Sequence, residues 1–123
     1  MVSINNDIIS MNRGDSFRMP VLINVSDKTS PIYYNITESD TIYFALEEYN
    51  QEFENALIRK VFDIEDTENN ILYITLNSGE TIFLLPGEYY YEIKLKHEYY
   101  DGFGRKQEFI DTIVPRKKFI ILE

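Results

Sequence analysis

The chain has no cysteine. This excludes a disulfide framework, a thiolate metal site and a cysteine nucleophile, and it fits assembly in a reducing compartment. Alanine is nearly missing, present only as Ala45 and Ala56, so the best helix former contributes little. His97 is the single histidine, which leaves no second imidazole for a histidine-built metal centre or triad. No apolar run approaches the ~20 residues of a membrane helix, and no basic-then-apolar start marks a signal peptide. No glycine-rich phosphate loop occurs. Positive charge is also scarce: 12 Lys and Arg against 21 Asp and Glu give a formal net charge of −9. A surface of that sign repels phosphate backbones, which argues against nucleic acid as a partner.

The 123 residues fit one domain, 1–123, long enough to bury a core without covalent staples. The apolar residues lean towards Ile, Tyr and Phe, which suit pleated surfaces. The clearest element follows Pro86-Gly87, a turn signal. From there Tyr89, Tyr91, Ile93 and Leu95 alternate with Tyr90, Glu92, Lys94 and Lys96. A period of two over this length predicts a strand from Glu88 to about Tyr99 with one buried face.

The rest of the chain reads as short strands between turns. Val2 to Met11 is ragged and predicts an edge strand or arm. Arg13-Gly14-Asp15 turns into Ser16–Val25, where Phe17, Met19, Val21, Ile23 and Val25 face inward. Pro20 cannot donate to a ladder, so this strand belongs at an edge or carries a bulge. Ser26 to Asp40 reads as a loop with a brief extended piece around Ile32 to Ile36. Thr41–Glu47 directs Ile42, Phe44 and Leu46 inward. Glu48 to Asn55 reads as a hairpin connection, and Ala56 to Ile64 as a strand whose buried face Arg59-Lys60 obscures. The acidic loop Asp63 to Asn70 ends on Asn69-Asn70, a turn pair. Ile71–Asn77 directs Leu72, Ile74 and Leu76 inward, and Gly79 to Leu85 fits either a short strand or one helical turn. Asp101-Gly102 with Gly104 predicts a hairpin into Arg105–Val114. Pro115 should end that strand, Arg116-Lys117-Lys118 should form a solvated turn, and Lys118–Leu122 should close the domain. About eight short strands of this spacing predict an all-β, antiparallel sandwich of immunoglobulin-like type, with a small barrel as the alternative.

Residues with chemistry are few. His97 continues the inward parity of its strand and reads as a partly buried, hydrogen-bonded side chain. Asp63, Glu65, Asp66 and Glu68 are oxygen ligands of the kind Ca²⁺ takes, but they lack EF-hand spacing and read as a solvated loop. Arg13-Gly14-Asp15 matches an integrin-recognised tripeptide, while its glycine has a structural use in the turn. Asn24-Val25-Ser26 and Asn35-Ile36-Thr37 match the glycosylation pattern, which has no meaning without secretion. Neither a catalytic residue nor a cofactor or metal site is expected. Tyrosine stands out: Tyr33, Tyr34, Tyr90, Tyr99 and Tyr100 form the candidate interaction surface, because exposed tyrosines supply rigid contact area for proteins and stack on sugars.

The order of these parts resembles a known family. A polar first strand leads through Arg13-Gly14-Asp15 to an apolar strand from Phe17. Ile42-Tyr43-Phe44-Ala45-Leu46 follows, then Leu85-Pro86-Gly87-Glu88-Tyr89-Tyr90-Tyr91-Glu92-Ile93, the Asp101-Gly102 hairpin and the closing Lys118-Phe119-Ile120-Ile121. This resembles the N-terminal β-sandwich domain of phage upper baseplate proteins, and related small phage structural proteins, of Gram-positive hosts. The resemblance implies a non-enzymatic virion protein of the baseplate or tail, assembled in the host bacterial cytoplasm. Its partners would be other virion proteins or further copies of itself, with no nucleic acid and no membrane. A ragged first strand, Ser3 to Met11, or the closing strand, Lys118 to Leu122, would pair with a neighbour. A capsid decoration or head-associated protein of the same fold, or a carbohydrate-binding module, is the alternative.

Overall fold

Residues 3–5, 8–23, 33–48 and 53–123 are described, from a computed structural model of the chain. The strands are β1 (Ser3–Asn5), β2 (Ile8–Asn12), β3 (Phe17–Val21), β4 (Asp40–Glu47), β5 (Ile58–Phe62), β6 (Thr67–Glu68), β7 (Ile71–Leu76), β8 (Gly87–Tyr100) and β9 (Lys106–Leu122). They form a six-stranded sheet in the order β1-β2-β9-β8-β4-β5 and a three-stranded sheet in the order β3-β7-β6. Every pairing is antiparallel except β2 with β9. The all-β sandwich expected from the alternating pattern is the architecture observed.

The pattern works because each strand with one apolar row must bury it against another sheet. Leu72, Ile74 and Leu76 of β7 face Ile42, Phe44 and Leu46 of β4 and the inward row of β8 across one core. Aromatic rings bridge the layers: Phe44 stacks on Tyr91 (6.1 Å), Tyr91 meets Phe119 edge-on (6.2 Å), and Phe119 meets Phe17 of the small sheet (5.9 Å). Tyr89, at the start of β8, donates its hydroxyl to the Leu85 carbonyl at 2.7 Å, which pins the turn leading into the central strand.

The turns follow local chemistry. Asn69 and Asn70 both take positive φ (51° and 66°), the requirement of a two-residue hairpin between β6 and β7. Asn77 N–H is accepted by the Glu80 carboxylate at 2.9 Å, opening one helical turn, α1 (Ser78–Thr81). Gly14 takes φ +84°. Its neighbour Arg13 donates Nε–H to the Ile82 carbonyl at 2.7 Å, and the Asp15 carbonyl accepts the Thr81 hydroxyl at 2.7 Å. The Arg-Gly-Asp tripeptide thus clamps the turn onto α1. Pro20 lies in the edge strand of the small sheet, where its missing N–H costs no ladder bond.

Several expectations change. The first strand is a hairpin of two: β2 docks parallel onto β9 and β1 folds back on the outside. The last two strands are long, 14 and 17 residues. Pro115 does not end a strand, because β9 absorbs it in a bulge. Tyr91 faces Lys117 but Ile93 faces Val114, and Lys94 faces Thr112. One extra β9 residue is taken up at Pro115-Arg116 and one at Ile113, so Arg116-Lys117-Lys118 is strand rather than turn. Phe119–Ile121 is covered by β2 on one side and β8 on the other, so the closing strand offers no free edge there. Val25, Asn24-Val25-Ser26, the segment 26–32 and residues 49–52 of the 48–55 connection lie outside the described residues.

Phe119→Ala should cost about 3–5 kcal/mol, because it opens a cavity between the rings of Phe17 and Tyr91. Tyr89→Phe should cost only about 1 kcal/mol, since the ring stays and one hydrogen bond goes. Urea unfolding of the two variants against the parent chain checks both values.

Candidate interaction surface on the terminal ribbon

Asp40 pairs with His97, the last rung shared by β4 and β8. Beyond it β8 and β9 run on as a two-stranded tip closed by the loop 101–105, and this tip with the adjoining rungs of β8 and β9, where β4 still flanks β8, makes the terminal ribbon. The loop is set by Asp101, whose carboxylate accepts the N–H groups of Phe103 (2.8 Å) and Arg105 (3.0 Å), the Arg105 guanidinium (3.1 Å) and the Gln107 amide (3.2 Å). These donors, the Arg105 N–H first, hold the Asp101 carboxyl below its ordinary value.

The base of the ribbon is tied down by one buried anion. Asp40 Oδ2 accepts the Tyr34 hydroxyl (2.7 Å), the Thr37 N–H (2.7 Å) and the Thr37 hydroxyl (3.0 Å), while Oδ1 lies 2.6 Å from His97 Nδ1. A carboxylate only accepts, so the imidazole donates from Nδ1. Burial is the largest influence on Asp40 and opposes its charge. The donors from Tyr34, Thr37 and His97 together outweigh it and hold the carboxyl below its ordinary value. Burial and the adjoining carboxylate push the Tyr34 phenol up to about 12. The parity of Ile42, Phe44 and Leu46 extends back to Asp40, and that was the signal for its burial.

The ribbon has two faces. Leu95, His97 and Tyr99 continue the core side, opposite Asp111, Phe109 and Gln107. Tyr34, Leu95, His97, Phe109, Asp111 and Ile23 line an open cleft of about 280 Å³ there, and His97 stacks on Tyr99 at 6.4 Å. On the other face, Glu98 pairs with Lys106 (2.9 Å) and Lys96 (3.4 Å), Lys106 foremost holding its carboxyl down. Ile110 borders a second open cleft of about 310 Å³, lined also by Tyr43, Phe53, Glu54, Lys94 and Lys96. The ribbon's large apolar side chains stand in solvent: Phe103 is 85% exposed, Tyr100 73%, Ile110 62% and Phe109 57%.

The five candidate tyrosines do not form one surface. Tyr99 and Tyr100 are exposed on opposite faces of the ribbon. Tyr34 is engaged by Asp40, and Tyr90, far from the tip, lies under the Arg116 guanidinium at 4.2 Å. Tyr33 is exposed in the segment that leads to Asp40. Phe103, Phe109 and Ile110 were missed. Their signal was an Asp-Gly hairpin followed by adjacent apolar residues, which must fall on both faces of one strand. A second exposed patch, with Phe83 and Leu85, lies in the connection after α1.

The acidic loop has local uses. Asp63 caps a short turn, Asp66 returns a bond to the Asp63 N–H (2.9 Å), and Glu68 pairs with Arg18 at 2.8 Å. Among the described residues no cluster of metal-ligating side chains occurs. Among the described residues no helix is long and apolar enough to cross a membrane. Comparison with protein-family models, curated proteins and solved structures returns no match.

Tyr34→Phe should destabilise the protein by about 1–3 kcal/mol at neutral pH, because the buried carboxylate loses a donor. In the folded chain Tyr34 keeps its proton between pH 10 and about 12, where an unfolded tyrosine has lost it. Its contribution is therefore complete below pH 10 and disappears as pH rises towards 12. Asp40 acts in the opposite sense: its contribution is present above the ordinary carboxylate range and is lost as pH falls through its depressed folded value. Urea unfolding from pH 2 to 12 checks this. The gap between the parent and Tyr34→Phe should narrow above pH 10, and that between the parent and Asp40→Asn should narrow in acid.

Proposed function

We propose that this chain is a non-enzymatic structural protein of a phage particle, in the tail or baseplate, that works by protein–protein docking. One observation carries the docking reading: the terminal end of the β8–β9 hairpin holds Tyr100 and Phe103 on its two-stranded tip, and Phe109 and Ile110 at its base, in solvent. Large apolar side chains on a rigid projection cost solubility and are what binding anchors are made of. The placement in a phage rests on the order of sequence elements, from Arg13-Gly14-Asp15 to Lys118-Phe119-Ile120-Ile121.

The strand order adds support for an immunoglobulin-like sandwich. β3, β7 and β6 form one layer; β2, β9, β8, β4 and β5 fall in the other. A tyrosine at the head of β8, bonded to the backbone four residues back, resembles the corner that such sandwiches use. This fold is compatible with many roles, so the function rests on the ribbon.

The test is co-sedimentation of the purified chain with isolated phage tails and, separately, with heads. The expected result is binding to tails that Tyr100→Ser with Phe103→Ser weakens roughly tenfold or more, as loss of aromatic anchors does, while the unfolding midpoint stays the same. Binding to heads alone would instead establish the decoration role, and binding to neither would overturn the reading.

A further inference from the structure

We infer that the ribbon's open edge pairs with the same edge of a second copy of this chain, antiparallel and across a two-fold axis at Phe109. The inference rests on the docking reading above and names the partner and the mode.

Edges decide which strands can add a neighbour. β1 has three residues and β6 two, and β3 carries Pro20. β5 holds Arg59 and Lys60, the latter bridged to Glu80 of α1 at 3.0 Å. In β9, by contrast, Lys106 to Thr112 has β8 on one side and no partner strand on the other among the described residues. The bulges at Ile113 and Pro115-Arg116 end this stretch, and β2 covers the strand only from Phe119.

The direction of the free backbone groups follows from the turn. Asp101 N–H donates to the Arg105 carbonyl, so the hydrogen-bonded pairs of the ribbon include Tyr99 with Gln107 and His97 with Phe109. The residues between them on β9, namely Lys106, Glu108, Ile110 and Thr112, aim N–H and C=O away from β8. The same alternation on β8 is visible directly, since Glu98 N–H bonds to the Ser39 carbonyl on the side away from β9.

A two-fold axis at Phe109 makes these groups meet. Lys106 falls opposite Thr112 of the second copy and Glu108 opposite Ile110, each exchanging two bonds, for about eight in all. Phe109 meets its own copy at the axis in a non-hydrogen-bonded pair, the geometry that brings side chains closest. Beside it, Gln107 faces Asp111, an amide donor against a carboxylate. No like charges fall directly opposite each other. Moving the axis to Glu108 or Asp111 would set identical carboxylates face to face, and moving it to Ile110 would set each Phe109 against an Asp111. The net charge of −9 on each copy opposes approach, so added salt should favour the pair.

The chain has no cysteine of its own, so single introduced cysteines report on the register. At a non-hydrogen-bonded pair Cα atoms lie about 4.5 Å apart, within disulfide range. Residue 111 and its copy would be separated by roughly 13 Å along the strand. Under mild oxidation Phe109→Cys should form a covalent dimer and Asp111→Cys should not. In parallel, sedimentation of the parent chain up to millimolar concentration should show a dimer that strengthens between about 0.05 and 0.5 M salt. Ile110→Pro removes an edge-facing N–H without touching the β8 ladder. It should remain monomeric, with an unchanged circular dichroism spectrum. A parent chain that stays monomeric throughout, equal cross-linking at 109 and 111, or an Ile110→Pro variant that dimerises as the parent does would overturn the inference. Monomers that still co-sediment with tails would sink the self-pairing and leave the docking reading standing. A dimer with no affinity for particles would uphold the self-pairing and sink the other.

Discussion

A carboxylate removed from water must gather donors or take up a proton. Asp40 gathers them at the one level where four parts of the chain converge. Its Tyr34 ligand is itself tied by its N–H to the Ile23 carbonyl just past β3, Thr37 comes from the loop before β4, and His97 from β8. The anion therefore joins the exit of the small sheet to two adjacent strands of the large one. It does so at the last rung that β4 shares with β8. Past that rung the Glu98 N–H bond to the Ser39 carbonyl still ties β8 to the segment before β4, and this cluster anchors the base of the two-stranded tip.

Charge on the ribbon is arranged to leave its apolar side chains as the distinguishing feature. Glu98 lies between Lys96 and Lys106, and Asp101 is held by Arg105. Such exposed pairs contribute little to stability. They do neutralise the strip locally on a molecule that is otherwise strongly acidic. The tip therefore presents aromatic rings framed by balanced charge.

Much of the architecture was legible because alternation is a direct record of burial. Leu72, Ile74 and Leu76, or Tyr89, Tyr91, Ile93 and Leu95, declare their face whatever the rest of the chain does. Asn69-Asn70 declared its turn for a similar local reason. What escaped depends on neighbours that the local pattern does not record. Pro115 looks like a terminator because a proline removes a donor; only the register with β8 reveals that a bulge makes that donor unnecessary. Glu47 has the parity of an outward residue and is nonetheless fully buried, which the alternation of its own strand does not record. The length of the ribbon escaped too. Its two strands looked ordinary one at a time, and only the point where β4 stops shows how far they project.

The two bulges of β9 give this strand an arithmetic. A single extra residue shifts the odd–even phase of the residues that follow, while the bulge keeps each side chain on the face of its β8 partner. A second restores the original phase. Because both are present, Phe119 and Ile121 face the core at one end while Phe109 and Asp111 lie on that same side at the other. The strand thus carries a compensated frameshift in its side-chain pattern. Length variation in this stretch is therefore absorbed locally: losing one residue between Asp111 and Lys117 would remove one bulge and leave Phe109 opposite His97, because the ribbon's faces are set by its rungs with β8 and by the Asp101 turn.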